Sequence, residues 1–345
     1  MNETVSGSEI KKLRWGVMGA GRLARDVVRE IQQHGLAVKA IGARDLDRAE
    51  QFAAELGLSN SHQGYEALAN DPEVDAVYVV TTNQAHFECA MAAINAGKHV
   101  LIEKPFMMNA DEARVVVAAA RAAGVFCMEA MWTRFLPMHV ELFKCIDSGM
   151  IGSPRFLLAD HSQFLPPEHA ARLWSRSLGG GALLDLGVYP INFAARLFGL
   201  PADVIARGTL TDPNAGPFGT GIGDGGVDSQ VSIIFDHSEG RRSTLHATMV
   251  QAGPTDATIL GTNGSIELAG PFYQQSSFRV LSSTREVLHS FASPTREAGK
   301  IYQFVEAEKL IANGELESKT MPLDESIAIM GIMDDVRAEI GVVWG

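Results

Sequence analysis

The sequence predicts an α/β protein of two domains, in which a parallel-sheet domain precedes an α+β domain with a large, mostly antiparallel open sheet. Three observations support this expectation. A glycine-rich turn, with the letters GAGRLA, directly follows the short apolar run Arg14 to Met18. Up to about Phe126, strand-like and helix-like segments alternate, which is typical of a parallel sheet. After Pro154 helices become sparse and strand-like runs dominate.

The amino-terminal turn has the spacing G-x-G-x-x-A between a strand and a helix expected from Leu23 to His34. In this context the first glycine makes the turn, the second lets a diphosphate approach the backbone, and the small last residue allows close helix–strand packing. Free N–H groups at the helix amino terminus also bind phosphates. The sequence therefore predicts a Rossmann domain that binds a dinucleotide through Gly19, Gly21, Arg22, Leu23 and Ala24.

The second strand, Val38 to Ala43, should end where a Rossmann domain contacts the adenosine ribose. An acidic residue there accepts hydrogen bonds from the ribose hydroxyls of NAD, whereas an arginine accommodates the 2′-phosphate of NADP. Arg44 follows the strand, and a guanidinium can pair with a phosphate in a bidentate way. NADP is therefore the expected cofactor. Asp45 keeps NAD as the alternative, because it would reach the ribose if the strand ended one residue later.

A lysine follows the carboxyl end of another apolar strand. Asp75 to Thr81 is predicted to be a strand, and after a polar loop and an amphipathic helix a further strand, His99 to Ile102, leads into Glu103, Lys104 and Pro105. Ligands of open α/β sheets bind at the carboxyl ends of the strands. Lys104 is therefore a candidate catalytic residue, although a lysine before a proline is, taken alone, more often a solvated charge.

The second half is predicted to be a largely antiparallel sheet with one long helix, Ala182 to Phe198. Its strand-like runs are Arg155 to Phe164, Asp203 to Leu210, Asp228 to Phe235, Ser243 to Val250, Ala257 to Leu260, Ser265 to Leu268 and Phe278 to Leu281. Two late helices, Gly299 to Asn313 and Asp324 to about Val343, close the chain. The glycine-rich stretch Asp212 to Gly226 is expected to be a surface loop rather than a lid.

We place the domain boundary after Phe126. Residues 1–126 then form the Rossmann domain, with residues 1–11 as a disordered tail, and residues 127–345 form an α+β domain for substrate binding and oligomerisation. A chain of 345 residues exceeds what a single core usually holds, which agrees with two domains.

The G-x-G-x-x-A turn, the polar loop Thr81-Thr82-Asn83 with His86, and the Glu103-Lys104-Pro105 triplet occur in this order. Together they resemble the Gfo/Idh/MocA family of NAD(P)-dependent oxidoreductases. The segments Met128 to Phe135 and Gly179 to Tyr189 are similar to the branch that holds dimeric dihydrodiol dehydrogenases and NADP-dependent D-xylose dehydrogenases. The resemblance covers nearly the whole chain.

The resemblance implies that Lys104 is the catalytic lysine and that Tyr189 faces it across the nicotinamide. Asp185 precedes Tyr189 by four positions on the predicted helix, so both side chains point to one face. Many family members carry histidine at the position of Tyr189. The tyrosine of this chain therefore favours the dihydrodiol and aldose branch. Oxidation of an alcohol needs a base for the hydroxyl proton, and a tuned lysine or tyrosine can serve. Whether Lys104 or Tyr189 takes the proton stays open.

The resemblance also implies which residues surround the two ligands. Besides the glycine turn and Arg44, the expected cofactor residues are Thr81, Thr82, Asn83, His86, Glu103, Lys104, Trp132 and Arg134. Asp185 and Tyr189 are expected to contact the substrate, and Trp132 and Trp174 are added because they lie near the active-site motifs. His161 and Phe164 join them if their strand faces the cofactor, and a half-buried histidine with satisfied hydrogen bonds is an equal alternative for His161. A tryptophan face can stack on a sugar or on an aromatic diol, so these residues do not separate the two substrate classes.

An aldose oxidised at C1, or a related polyol or carbonyl compound, is the expected substrate, and a trans-dihydrodiol is the alternative. A non-catalytic dinucleotide-binding regulator is the alternative from another class, since a fold does not guarantee chemistry. Lys104, Asp185 and Tyr189 together favour an enzyme, because a sensor does not need all three.

The composition excludes several other classes. A net charge of −12 argues against nucleic acid, because phosphate neutralisation needs basic patches. No segment has the length of a membrane span and the first residues are polar, so we expect a cytoplasmic protein. Cys89, Cys127 and Cys145 lack C-x-x-C spacing and are expected to be reduced, buried thiols. No histidine or carboxylate spacing indicates a metal.

The second-half strands also predict self-association as a homodimer or larger homo-oligomer. In the segments Asp228 to Phe235 and Ser243 to Val250, apolar residues alternate with mildly polar ones. The apolar residues are Val231, Ile233, Leu245, Ala247 and Met249, and the polar ones are Ser232, His246 and Thr248. A face with few charges suits a two-fold contact between identical sheets, and the resemblance to dimeric enzymes points the same way.

Overall fold

A computed structural model describes residues 13–212, 226–295 and 298–342 of the chain. It confirms the predicted fold, with one parallel sheet and one mostly antiparallel sheet. The expected amino-terminal tail and the stretch from Asp212 to Gly226 lie largely outside the described residues. Within the described part of the chain, none of the helices is both long and apolar enough to cross a membrane.

The first sheet consists of β1 (Arg14–Met18), β2 (Ala37–Ala43), β3 (Asn60–Gln63), β4 (Ala76–Val79), β5 (His99–Glu103) and β6 (Cys127–Ala130). Its strand order is β3-β2-β1-β4-β5-β6, and all paired strands are parallel. The order reverses between β1 and β4, which is the switch point where such sheets bind ligands. The strands β4 and β5 are apolar and buried almost throughout, as expected for a sheet covered on both faces.

Helices cover both faces of this sheet. They are α1 (Arg22–Gln33), α2 (Leu46–Leu56), α3 (Tyr65–Ala69), α4 (His86–Asn95) and α5 (Ala110–Ala123). The helix α1 shows why these segments fold as they do, because its buried residues Ala24, Val27, Val28 and Ile31 follow helical spacing and form one apolar stripe toward the sheet.

The second sheet has eight strands in the order β14-β13-β12-β11-β7-β10-β9-β8. They are β7 (Pro154–Ser162), β8 (Asp203–Leu210), β9 (Asp228–Asp236), β10 (Arg242–Thr248), β11 (Ala257–Gly261), β12 (Gly264–Leu268), β13 (Ser277–Ser282) and β14 (Val287–Ala292). The pair β7 and β10 is parallel, and the other pairs are antiparallel.

The helices of the second half are α6 (Pro137–Asp147), α7 (Pro167–Ala170), α8 (Val188–Phe198), α9 (Ile301–Ala312) and α10 (Leu323–Ile340). The last two return to the first domain. Phe304 of α9 packs edge-on against Trp15 and Tyr78, with ring centroids 5.0 Å apart in both pairs. The indole N–H of Trp15 also donates to Glu308 at 2.9 Å. The helix α9 therefore forms part of the hydrophobic core of the first domain.

The structure differs from the expectations in a few elements. The segment Cys127–Ala130 is the sixth strand of the first sheet, so we now propose the domain boundary after Ala130 rather than after Phe126. The strand Val287–Ala292 was not expected, because its hydrophobic residues are exposed at the sheet edge. The predicted helix from Ala182 begins with one π turn, Leu183–Gly187, before α8.

The second sheet buries the face that carries Val231, Ile233, Leu245, Ala247 and Met249. The sequence pattern placed Ser232, His246 and Thr248 on the opposite, more polar face of the sheet. This is correct for Ser232, which is exposed, and for His246, which is half-buried. It is wrong for Thr248, which is fully buried. Thr248 ends β10, and its hydroxyl accepts a hydrogen bond from the backbone N–H of Val250 as the chain turns.

Candidate active site

The carboxyl end of β5 is fixed by a buried acid. Glu103 accepts a 2.6 Å hydrogen bond from the hydroxyl of Tyr78, which lies on the neighbouring strand β4. Its other oxygen accepts the backbone N–H of Lys104 at 3.2 Å. The peptide bond between Lys104 and Pro105 is cis. The strand end thus holds the backbone of Lys104 at the ligand-binding edge of the sheet.

Lys104 reaches from this edge to the helix of the second domain. Its ammonium donates to Asp185 Oδ1 at 3.1 Å and to the Asp185 carbonyl at 2.8 Å. Asp185 lies in the π turn Leu183–Gly187 before α8. A turn of this kind is frequent at functional sites.

Asp185 is held as a carboxylate by two cations. Arg172 donates to the same oxygen, Oδ1, at 2.8 Å. Burial alone would raise the pKa of Asp185, but the charges of Lys104 and Arg172 outweigh it and hold that pKa well below its usual range. Asp185 is therefore a carboxylate across the whole physiological pH range.

Tyr189 lies against the same lysine. The ammonium of Lys104 is 4.9 Å from the centre of the Tyr189 ring, and the indole N–H of Trp132 donates to the Tyr189 hydroxyl oxygen at 3.1 Å. Burial raises the pKa of Tyr189 well above its ordinary value, and the negative charge of Glu103 adds to the effect. Tyr189 therefore carries its proton at neutral pH.

An aromatic cluster extends this site. His161 stacks on Tyr273 with ring centroids 4.3 Å apart, and the Tyr273 ring lies 4.6 Å from that of Tyr189. The Leu186 carbonyl accepts from His161 Nδ1 at 3.0 Å, so His161 Nε2 is left to accept from Gln163 at 2.7 Å. Burial lowers the pKa of His161 to about 4, and the charge of Lys104 adds to this. His161 is thus a neutral wall residue.

The glycine turn fits a dinucleotide diphosphate. Gly19 has a φ of +115°, and a Cβ there would lie 2.6 Å from the carbonyl oxygen of Val80, so only glycine fits. A Cβ on Gly21 would instead point into open space. Gly21 is also the N-cap of α1 and provides no capping side chain. The first N–H groups of the helix remain available for phosphate oxygens beside that space.

Arg44 and Asp45 take different positions at the end of β2. The Asp45 carboxylate accepts the backbone N–H of Arg48 at 2.9 Å and so caps α2. Arg44 is exposed. Burial raises the pKa of Tyr65, and the charges of Arg44 and Arg48 oppose this rise. The cap occupies one oxygen of Asp45, while the Arg44 guanidinium faces solvent at the strand end.

The polar loop after β4 is tied to the second domain. The amide of Asn83 donates to the carbonyl of Gly179 at 2.8 Å, in the glycine run before the π turn. His86 Nδ1 donates to the carbonyl of Pro105 at 3.0 Å, and burial lowers the pKa of His86 to about 4. With Thr81 and Thr82 before them, these residues join the loop to Lys104 and to the helix of Asp185.

Three predicted site residues lie apart from this cluster. The guanidinium of Arg134 is buried and bonded to Asn192, the Thr320 carbonyl and Glu325, so we no longer propose it as a cofactor residue. The indole N–H of Trp174 donates to the Leu165 carbonyl inside the protein. Phe164 is 63% exposed. We propose Trp174 and Phe164 only as residues at the edge of the substrate site.

The sequence reasoning missed four residues near the site. Gln163 and Tyr273 belong to the aromatic cluster, and Lys300 lies on the face of Trp132. Tyr273 stands in a loop and Lys300 at the start of α9. Neither belongs to a motif, so no spacing revealed them. Asp228 accepts the backbone N–H of Leu183 at 2.6 Å. It stands at the start of a predicted strand, where its burial was not evident.

Among the described residues, one group has the residue types of a metal site. Glu141, Cys145 and His289 bring their ligand atoms within 4.8 Å of one another. Glu141 and Cys145 are one turn apart on α6, and His289 comes from β14. The sequence could not show this group, because β14 was not predicted. All three cysteines are free and buried, as expected.

Comparison with known proteins agrees with this geometry. Residues 13–131 match the description "Oxidoreductase family, NAD-binding Rossmann fold", and residues 139–267 match "GFO/IDH/MocA C-terminal domain". The trans-1,2-dihydrobenzene-1,2-diol dehydrogenase of Xenopus laevis is 32% identical over 342 residues, which cover 96% of this chain and 99% of the relative. The human enzyme of the same name is also 32% identical.

Solved structures are similar over the same extent. KijD10, a 3-ketoreductase from Actinomadura kijaniata in complex with NADP and TDP-benzene, has a TM-score of 0.82 at 26% identity, covering 95% of this chain and 98% of its own. The same enzyme was also solved as a lysine-to-alanine mutant and as a tyrosine-to-phenylalanine mutant. The chain belongs to the Gfo/Idh/MocA oxidoreductase family and is an NAD(P)-dependent dehydrogenase that acts on CH–OH groups.

Proposed function

We propose that the protein is an NADP-dependent dehydrogenase of sugars, which oxidises an aldose at C1 or a related polyol. The observation that carries this proposal is the cluster of Lys104, Asp185 and Tyr189 at the ligand-binding edge of the first sheet. The nicotinamide, when bound, supplies the chemistry of accepting or giving hydride. The three side chains then handle the oxygen and its proton.

Tyr189 is the group that we propose to exchange a proton with the substrate oxygen. It holds its proton at neutral pH, so in the reducing direction its hydroxyl can donate to the oxygen that develops negative charge. The phenolate left behind would be stabilised by the indole N–H of Trp132 and by the ammonium of Lys104. In the oxidising direction the same steps run in reverse.

Lys104 orients and stabilises the same substrate oxygen. Asp185 holds the ammonium in place and balances its charge, so the lysine offers a preorganised donor rather than a mobile one. Asp185 keeps a second oxygen for a neighbouring hydroxyl of the substrate. A sugar or a vicinal diol carries such a hydroxyl, and this suits both substrate classes.

NADP is our proposed cofactor because Arg44 is exposed at the end of β2 while Asp45 caps α2. A guanidinium there can pair with the 2′-phosphate. The structural relative KijD10 was solved with NADP. The three free, buried thiols suit the reducing cytoplasm, where we propose that the enzyme acts.

The substrate proposal has one alternative. The relatives named trans-1,2-dihydrobenzene-1,2-diol dehydrogenase favour a trans-dihydrodiol. The aromatic rings of Trp132 and Tyr273 would accept the flat face of either substrate. Steady-state reduction of NADP+ with D-xylose, D-glucose, a trans-dihydrodiol and a cyclitol would separate the classes. A higher kcat/KM with the dihydrodiol than with either aldose would refute our first choice.

Two substitutions test the proposed roles. We expect Lys104→Ala and Tyr189→Phe each to lower kcat by about 100-fold or more, since general acid–base catalysis contributes about 10²–10⁴-fold. NADPH affinity, measured by fluorescence, should stay within about tenfold of the wild type, because both residues act on the reacting oxygen. A near-normal kcat in both variants contradicts the proposed site.

We also propose that the protein forms a homodimer through the outer face of the second sheet. That face exposes four large apolar residues, Leu158, Ile205, Ile234 and Leu260. They lie on β7, β8, β9 and β11. Thr244 of the intervening strand β10 pairs with Leu158 on one side and with Ile234 on the other, so these residues are side by side across the sheet. These side chains thus form a band across the sheet. A self-complementary band of this kind suits a two-fold contact.

A further inference from the structure

Lys300 is a cation near the proposed catalytic residues, and it forms no ion pair with the acids in the part of the chain that the structure describes. Its ammonium nitrogen lies 3.7 Å from the centre of the Trp132 ring, at the beginning of α9. In residues 13–212, 226–295 and 298–342, no hydrogen bond or ion pair to this ammonium is found. The cation–π contact with Trp132 is therefore the interaction that holds it.

The acids around Lys300 act on its charge from a distance and make their hydrogen bonds or ion pairs with other groups. Burial lowers the pKa of Lys300 and the charge of Lys104 adds to this, whereas Glu103, Glu30 and Asp26 oppose it. Glu103 is bonded to Tyr78 and to the Lys104 backbone. Glu30 accepts the N–H of Ile301, and Asp26 lies 3.8 Å from Arg22 and from Arg29.

These neighbours also define where Lys300 lies. Asp26 and Glu30 belong to α1, the helix that follows the glycine turn, whereas Lys104 and Trp132 belong to the reacting cluster. Lys300 is thus situated between α1 and the residues around Tyr189. A dinucleotide whose diphosphate lies at the start of α1 extends its nicotinamide toward these residues.

The two redox states of the cofactor differ in charge at that place. The nicotinamide ring carries one positive charge when oxidised and none when reduced, while the phosphates are the same in both. Lys104 forms an ion pair with Asp185, whereas Lys300 forms no ion pair among the described residues, and Glu103, Glu30 and Asp26 offset its charge only from beyond ion-pair distance. Two unit charges about 8 Å apart, at an effective dielectric constant of about 20, change a binding constant by more than tenfold.

We propose that Lys300, held on the face of Trp132, makes the site bind the reduced cofactor more tightly than the oxidised one. It is a specificity-determining residue for the redox state of the cofactor. The inference rests only on cofactor binding by this family, so it does not depend on which sugar or diol is the substrate.

The test measures the dissociation constants of NADPH and NADP+ at pH 7 without substrate, by calorimetry or tryptophan fluorescence. Lys300→Met removes the charge and keeps the stem against Trp132. We expect it to tighten NADP+ relative to NADPH by about tenfold. Lys300→Arg keeps the charge and the cation–π contact, so its ratio should stay within about threefold of the wild type.

A matched control is Lys309→Met on the same helix. The Lys309 ammonium is exposed and pairs with Glu306, so its removal should leave the ratio unchanged. Lys300→Gln is a second neutral variant in case the methionine variant folds poorly. An equal loss of affinity for both cofactors would overturn the proposal and make Lys300 a phosphate contact. An unchanged ratio in both neutral variants would overturn it too.

Discussion

At the residue scale, the adjacent residues Arg44 and Asp45 differ in their local structure, and this difference bears on whether NADP or NAD is the cofactor. Both could contact the adenosine ribose by sequence position alone. The structure gives Asp45 the task of capping α2 and leaves Arg44 exposed. The proposed preference for NADP therefore depends on the geometry at the start of α2, which the sequence did not specify.

We predict that Arg44→Ala weakens NADP binding by about 1.5–3 kcal/mol, the range of a hydrogen bond to a charged group. NAD binding should hardly change, because NAD lacks the 2′-phosphate. Arg48→Ala is the control, since Arg48 is exposed one turn further along α2. Isothermal titration with both cofactors measures these effects. A wild-type preference for NAD, together with damage from Asp45→Ala, would assign the ribose contact to Asp45.

A second residue-scale prediction concerns Glu129, which is buried on β6 and bonded to Ser326. Burial raises its pKa to about 7, above the ordinary value of about 4.5. Between these values the folded state holds a proton that the unfolded state has lost. Stability therefore falls as pH rises from about 4.5 to 7.

We expect Glu129→Gln to remove this loss. The variant should gain stability relative to the wild type as pH rises from 5 to 8, by up to about 3 kcal/mol. Urea unfolding at both pH values measures the difference. Glu50→Gln on the exposed side of α2 is the control. A stability difference that is independent of pH would show that Glu129 does not titrate in this window.

At the element scale, the helix that carries Asp185 and Tyr189 begins on a buried carboxyl group. Asp228 of β9 accepts the backbone N–H of Leu183 at 2.6 Å. Gly181 passes so close that a Cβ there would lie 2.2 Å from Asp228 Oδ1. Burial raises the pKa of Asp228 to about 7. The second sheet thus fixes the start of the catalytic helix.

We predict that Asp228→Ala destabilises the protein by about 1–3 kcal/mol, because it leaves a buried N–H without an acceptor. Asp228→Asn keeps an acceptor oxygen and should cost less. Denaturant unfolding would measure both. If the two variants lost equal stability, the hydrogen bond to Leu183 would not be the cause.

Helices and strands with a strong apolar periodicity were predictable from the sequence. Elements whose conformation depends on contacts with distant parts of the chain were not. The strand Arg14–Met18 and the helix around Ala24 to Ile31 follow from apolar spacing alone. The π turn at Leu183–Gly187 depends on contacts with the second sheet. The strand β14 pairs at the edge of that sheet with its apolar residues exposed. Motifs located Lys104, Asp185 and Tyr189. Tyr273 comes from a loop and Lys300 from the start of α9, and only the fold brings them near the site.

At the scale of the whole molecule, the exposed apolar band of the second sheet predicts a dimer. We expect Ile234→Asp to convert it to monomers, because the carboxylate would be buried without a partner in the contact. Val115→Asp changes an equally exposed apolar residue on α5 and should leave the dimer intact. Sedimentation equilibrium at micromolar concentration decides between them. A monomeric wild type would refute the dimer, and a dimeric Ile234→Asp variant would refute this surface.

The contact of Phe304 with Trp15 and Tyr78 has a consequence for how the protein is made. Trp15 and Glu308 are bonded although 293 positions separate them in the sequence. The first domain leaves the ribosome before α9 is synthesised, so its core is incomplete until α9 packs against it. Contacts between residues so far apart in sequence form late in folding. We expect a nascent chain that ends at Ala292 to leave Trp15 accessible to a soluble quencher such as iodide, and release of the full chain to protect it.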